Sequence, residues 1–179
     1  MGLILGEVAL WVADVTVLSA ILAVVEIVME RDRGWASTFD ERGLGRKLFA
    51  GNLLVRWIDK PYVTAYHLLV FGGLLPGVLW TQYSIGVLSG FHGAPAGSHS
   101  LAAFVYFLSA YLTICIFEDF LWFALNWYYP RSLTDLLAGR IWWHTDWVGV
   151  GAGVKVPRCY LSVGGIGLCL LVVSFALPR

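Results

Sequence analysis

Four stretches of the chain are apolar over nearly their whole length: Leu3–Met29, about Tyr62–Leu88, Leu101–Trp127 and Tyr160–Leu177. A hydrocarbon core of about 30 Å takes roughly 20 apolar residues in a helix. Strands with open edges would leave their backbone groups unpaired in lipid. The pattern therefore predicts an all-α integral membrane protein, one membrane domain with four transmembrane helices in a single bundle. The first stretch does not read as a cleavable leader, because no basic segment precedes it and Glu7 and Asp14 interrupt it. In the second, Gly72-Gly73 and Pro76-Gly77 predict a kinked, closely packed helix, or a cavity opened by the kink. The fourth carries Gly164, Gly165 and Gly167 and no charge between Tyr160 and Leu177, and reads as packing surface. The two halves share no matching broken segment, so a transporter-like repeat is not expected.

The polar positions fill in the connections. Arg31, Arg33, Arg42, Arg46, Lys47, Arg56 and Lys60 lie between the first two stretches. Arg131, Arg140, Lys155 and Arg158 lie between the last two, and the middle connection has no Lys or Arg. The positive-inside rule then places both basic loops in the cytoplasm and both termini on the other side. Over 44–58, Leu44, Leu48, Val55 and Ile58 fall near one helical face, which predicts a short interfacial helix with Arg46, Lys47 and Arg56 among headgroups. In the second basic loop, Ser132 and Asp135 resemble a capping box, and a helix from 133 to 147 would align Leu137, Ile141, His144 and Val148. Trp142, Trp143 and Trp147 would anchor it at headgroup level. His92 and His99, in the small polar FHGAPAGSHS loop, read as solvated residues.

Composition narrows the class further. Of 179 residues, 59% are hydrophobic and only 13% charged, where a soluble domain carries about 25% charged residues. That excludes an ordinary soluble enzyme and a disordered chain. The formal net charge is zero, so no global field draws the chain to nucleic acid. Cys115, Cys159 and Cys169 form no C-x-x-C, which excludes a disulfide-stapled secreted domain.

The informative residues are ionisable groups at membrane depth, since an isolated charge at the bilayer centre costs on the order of 3 kcal/mol. Asp14 and Glu118 lie near the middle of their stretches; Glu7, Glu26, His67 and Asp119 lie nearer an end. Glu26 and Glu30 share a helical face with Ser19 and Ala23, and Glu118 shares one with Tyr111, Cys115 and Trp122. His144 and Asp146 point the same way if WWHTDW is extended and diverge if it is helical. Two histidines and several carboxylates thus converge on the cytoplasmic half, with Glu118, His144 and Asp146 as candidate catalytic groups. Glu26, Glu30, His67, Glu118 and His144 are candidate ligands for a divalent metal such as iron, zinc or manganese. The bland counterparts are surface ion pairs of Glu26 and Glu30 with Arg31 and Arg33, and histidines that merely satisfy a neighbour. The chain has no Glu-x-x-His, H-E-x-x-H or G-x-S-x-G. The expectation is a metal-assisted or acid/base membrane enzyme acting on a lipid or other apolar substrate. The alternatives are a non-catalytic subunit with protein partners in a larger membrane complex and, less favoured, an ion conduit.

Overall fold

A computed structural model describes residues 2–88 and 101–177; His92 and His99 lie outside them. The chain is mostly helical. Four helical segments, Leu5–Glu30, Ala65–Ile85, Leu101–Leu125 and Arg158–Ala176, are long and apolar enough to cross a membrane, the pattern of a membrane protein. The first belongs to α1 (Gly2–Glu30). The connection that follows contains β1 (Lys47–Leu48), α2 (Leu53–Trp57) and β2 (Val63–Thr64). The second span comprises α3 (Ala65–Leu69), a π-helical turn (Val70–Leu74) and α4 (Leu75–Leu88). Then come α5 (Leu101–Leu125), α6 (Ser132–Leu137), β3 (Trp147–Gly151), β4 (Val154–Pro157) and α7 (Arg158–Ala176).

Burial is arranged inside out relative to a soluble helix. Along α1 the inward stripe is Glu7, Trp11, Val15, Ser19, Ala23, Glu26, Ile27 and Glu30, while Val12, Val17, Ile21, Val24 and Val28 face outward. Small residues on that stripe let α5 approach, and polar groups on it bond across: Trp11 Nε1 donates to Ser109 Oγ at 3.1 Å, and Ser19 Oγ to the Ile114 carbonyl at 3.4 Å. Helix α5 is central and packs against α1, α4 and α7. Where α5 meets α7, a side chain at Gly167 would strike Thr113 Oγ1 at 2.5 Å, so only glycine permits the approach. The Ser109 hydroxyl donates to the Gly167 carbonyl there, at 2.7 Å.

The bend predicted in the second span is a π-helical turn. In its wider register the Leu75 N–H reaches the Val70 carbonyl. Its successor would bond the Phe71 carbonyl, but that successor is Pro76 and has no N–H. The Tyr111 hydroxyl, from α5, donates to the Phe71 carbonyl instead, at 2.8 Å. Tyr111→Phe should therefore cost about 1–3 kcal/mol, the penalty of an unpaired polar group shielded from water. Thermal unfolding in detergent measures this; an unchanged midpoint would mean that carbonyl finds another donor.

The two basic connections correct the sequence reading. The continuous interfacial helix expected over 44–58 is not formed; α2 covers only Leu53–Trp57. Phe49 and Gly51 take positive φ (54° and 73°), which stops helix propagation. The preceding residues run extended, with Lys47 opposite Thr64 and Leu48 opposite Val63. Helix 133–147 likewise stops at Leu137, where Gly139 takes φ 71°. Residues 147–157 form an antiparallel hairpin closed by Ala152 and Gly153, both at positive φ (50° and 78°), as a type I′ turn requires. The capping box is also absent, because the Ser132 hydroxyl donates to the Phe123 carbonyl at 2.6 Å. Of the three tryptophans, Trp142 is exposed, whereas Trp143 is buried, stacked on Phe123 and packed over Gly34.

Candidate functional site

Local backbone geometry brings two charged residues inward together. Helix α2 ends in a double cap: the Asp59 N–H bonds the Arg56 carbonyl at 3.2 Å and the Lys60 N–H bonds the Val55 carbonyl at 2.9 Å. This Schellman arrangement puts the intervening residue in the left-handed region, usually a glycine; here it is Asp59, at φ 58°. Pro61 follows and keeps the helix from resuming. Asp59 and Lys60 are both buried.

Asp59 reaches across to the second basic connection. Its Oδ1 accepts from the Thr145 N–H (2.8 Å), the Thr145 hydroxyl (2.6 Å) and the Asp146 N–H (2.5 Å). Burial works against its charge, but the contacts from His144 and Thr145 outweigh it and hold the carboxyl below the usual aspartate range. Asp59 Oδ2 faces His144 Nδ1 at 3.6 Å, and on the other side of the imidazole Nε2 lies 3.2 Å from Asp119 Oδ2. Lys60 Nζ bonds both Asp119 oxygens, at 3.2 and 3.3 Å, and stands 3.4 Å from His144 Nε2. The Tyr160 hydroxyl donates to Asp119 Oδ2 at 2.8 Å. Trp35 closes the top, with the ammonium 4.4 Å from its ring centroid and His67 packed against it at 4.0 Å. The result is an Asp59–His144–Asp119–Lys60 network contributed by both connections and by α5.

Lys60 and Asp119 of that network line a cavity of about 380 Å³, with Asp59 and His144 behind them. Glu26, Lys60, His67, Glu118, Asp119 and Cys159 supply its polar lining; Leu68, Phe71, Ile116 and Val163 are among the apolar residues that complete it. The π-helical turn contributes Phe71 and Gly72 to the same wall. Leu68 and Gly72 are also exposed on the outer surface, so the cavity reaches the apolar flank of the molecule.

Among the residues expected from sequence, Glu26, His67 and Glu118 line the cavity. Glu26 lies beside Glu118 and Tyr66, and among the described residues Glu26 Oε1 and Glu118 Oε1 have no hydrogen-bond partner. His67 Nδ1 is 2.6 Å from the hydroxyl of Thr64, the residue that caps α3. Glu30 is fully buried, outside the cavity lining, and accepts from the Ala36 N–H at 2.5 Å rather than lying on the surface. His144 is buried behind Lys60 and Asp119. Asp146 stands apart: its side chain is 47% exposed and pairs with Arg158 at 2.8 Å. Asp14, also outside the cavity, accepts from Gln82 at 3.5 Å.

Sequence reasoning overlooked Asp59 and Cys159 as site residues and counted Lys60 only as a topology marker. The available signal was Asp59-Lys60-Pro61, an acid–base pair beside a helix breaker at the mouth of an apolar stretch. A buried group of Asp59, His144 and Cys159, with ligating atoms within 4.8 Å of one another, could hold a metal ion. Compared with family models, curated proteins and solved structures, the chain matches none.

Proposed function

We propose that this chain is a small membrane enzyme that takes a lipid or another apolar molecule into the cavity and transforms it by acid/base chemistry, with or without a metal. The observation that carries the reading is the juxtaposition of a mostly apolar chamber with a sealed charge network in its wall. Structural ion pairs seldom border a space large enough for part of a substrate, whereas binding sites combine apolar lining with a few convergent polar groups.

The roles follow from position. Glu118 faces the chamber and exchanges a proton with the substrate, with Glu26 beside it. Asp119, its charge balanced by Lys60, connects the chamber to His144. Asp59 faces the imidazole from behind, with its Oδ2 3.6 Å from Nδ1. The substrate enters from the side, past Leu68 and Gly72, so that its apolar part need not cross water. The basic loops then face the cytoplasm, and exposed Arg46, Lys47 and Arg56 hold anionic headgroups near the entrance.

The test compares membranes that do and do not make the protein, by untargeted mass spectrometry of their lipid extracts, alongside native mass spectrometry of the purified chain. The reading expects an apolar ligand that copurifies and a lipid species that appears or disappears with the protein. Unaltered lipids and a chain that copurifies with another polypeptide would favour the accessory-subunit alternative.

A further inference from the structure

We infer that Asp59, His144 and Cys159 bind a zinc-like metal ion through one oxygen, one nitrogen and one sulfur. The inference goes beyond the catalytic proposal and stands whether or not the cavity turns over a substrate.

Two orphaned atoms point to it. Asp59 Oδ2 and His144 Nδ1 are both buried and, among the described residues, lack hydrogen-bond partners. They face each other at 3.6 Å, too far for a hydrogen bond and close enough for a shared ligand. Buried polar atoms are rarely left unpaired, and those that are call for a missing partner. The third donor is the Cys159 sulfur, on the first turn of α7. Such a mixed set suits zinc and its neighbours and is wrong for magnesium or calcium, which take oxygen alone. Three protein ligands also match catalytic zinc sites, which keep a fourth position for water or substrate.

The surroundings agree. A metal on Nδ1 leaves the hydrogen on Nε2, where Asp119 Oδ2 stands ready to accept it at 3.2 Å. A carboxylate in that place fixes the ring of a metal-bound histidine. The other oxygen of Asp59 is held by three donors, so the residue would ligate through Oδ2 alone. Lys60, the nearby cation, lies 3.4 Å from the opposite ring nitrogen; with the hydrogen on Nε2 its bonds go to the Asp119 carboxylate alone, which neutralises it.

Cobalt(II) added to chelator-stripped protein tests the assignment without any activity assay. Near-stoichiometric binding should bring a thiolate-to-cobalt charge-transfer band. The band should vanish in Cys159→Ser and persist in Cys115→Ser, whose sulfur lines the same cavity outside the site. Asp119→Asn should keep the ligands and weaken binding about 10–100-fold. A wild-type protein that takes up no cobalt, or a band indifferent to Cys159, would overturn the inference. Because Cys159→Ser is nearly isosteric, a folded variant is expected. Should it fail to fold, elimination decides instead: a band that persists in both Cys115→Ser and Cys169→Ser assigns the thiolate to Cys159, and a band lost in either, or cobalt bound without the band, would overturn the inference.

Discussion

Glu118→Gln should lower turnover of the cavity's substrate by about 10²–10⁴-fold, the range a positioned general acid or base supplies. Glutamine keeps the shape and hydrogen-bonding capacity of the side chain and removes only its exchangeable proton. Glu118 is 3% exposed and lines the cavity, so no bulk water can replace it as a proton carrier. The loss should fall on kcat with KM little changed, because an apolar substrate is held mainly by the walls. Asp119→Asn should act similarly and, unlike Glu118→Gln, shift the pH profile, since it alters the environment of His144. If Glu118→Gln turns over normally, the carboxyl is structural and the catalytic reading fails with it.

The second large effect concerns stability. Lys60→Met alone, or Asp119→Asn alone, should destabilise the protein by about 3–5 kcal/mol, the cost of stranding a buried charge. Replacing both, as Lys60→Met with Asp119→Asn, should cost less than the two single losses added together, because neither charge is then left without its counterion, while asparagine still accepts from the Tyr160 hydroxyl. The side chains are 7% and 18% exposed, so solvent screening is slight. Reversible unfolding of the four proteins in one detergent gives the coupling directly. Single variants within about 1 kcal/mol of wild type would show that the pair behaves like an exposed one, for which such values are ordinary.

How legible the molecule was depended on whether a signal was local. Apolar runs and helical spacing placed the four long helices within a few residues and marked Glu118 as a carboxylate at membrane depth, whereas Glu26, near a span end, left a surface ion pair open as an alternative. The Pro76 and Gly72 signals fell at the π-helical turn but did not show that Tyr111 would complete its bonding. The basic connections were harder. Leu137, Ile141, His144 and Val148 repeat at helical spacing, yet Ile141 and His144 are buried by turns and a hairpin that follow Gly139. Neither geometry weighed for WWHTDW fits: His144 turns inward and Asp146 outward because the Asp59 carboxylate draws the 145–146 backbone toward it. That contact links residues 86 positions apart along the chain, and no periodicity reports it. Lys60 was counted only as a charge in a basic loop, and its burial beside Asp119 went unread.

The capped end of α2 also bears on how the protein is made. Everything up to the second span emerges from the ribosome before any of Asp119, His144, Thr145 or Tyr160 exists. During that interval Asp59 and Lys60 have none of the partners that later neutralise them, and Glu26 faces no Glu118. The first half of the chain therefore stays hydrated and unfinished at its basic end until the second half docks. The second half completes both the chamber and the charge network, so a chain truncated between the halves leaves Asp59, Lys60 and Glu26 without the groups that face them in the finished fold.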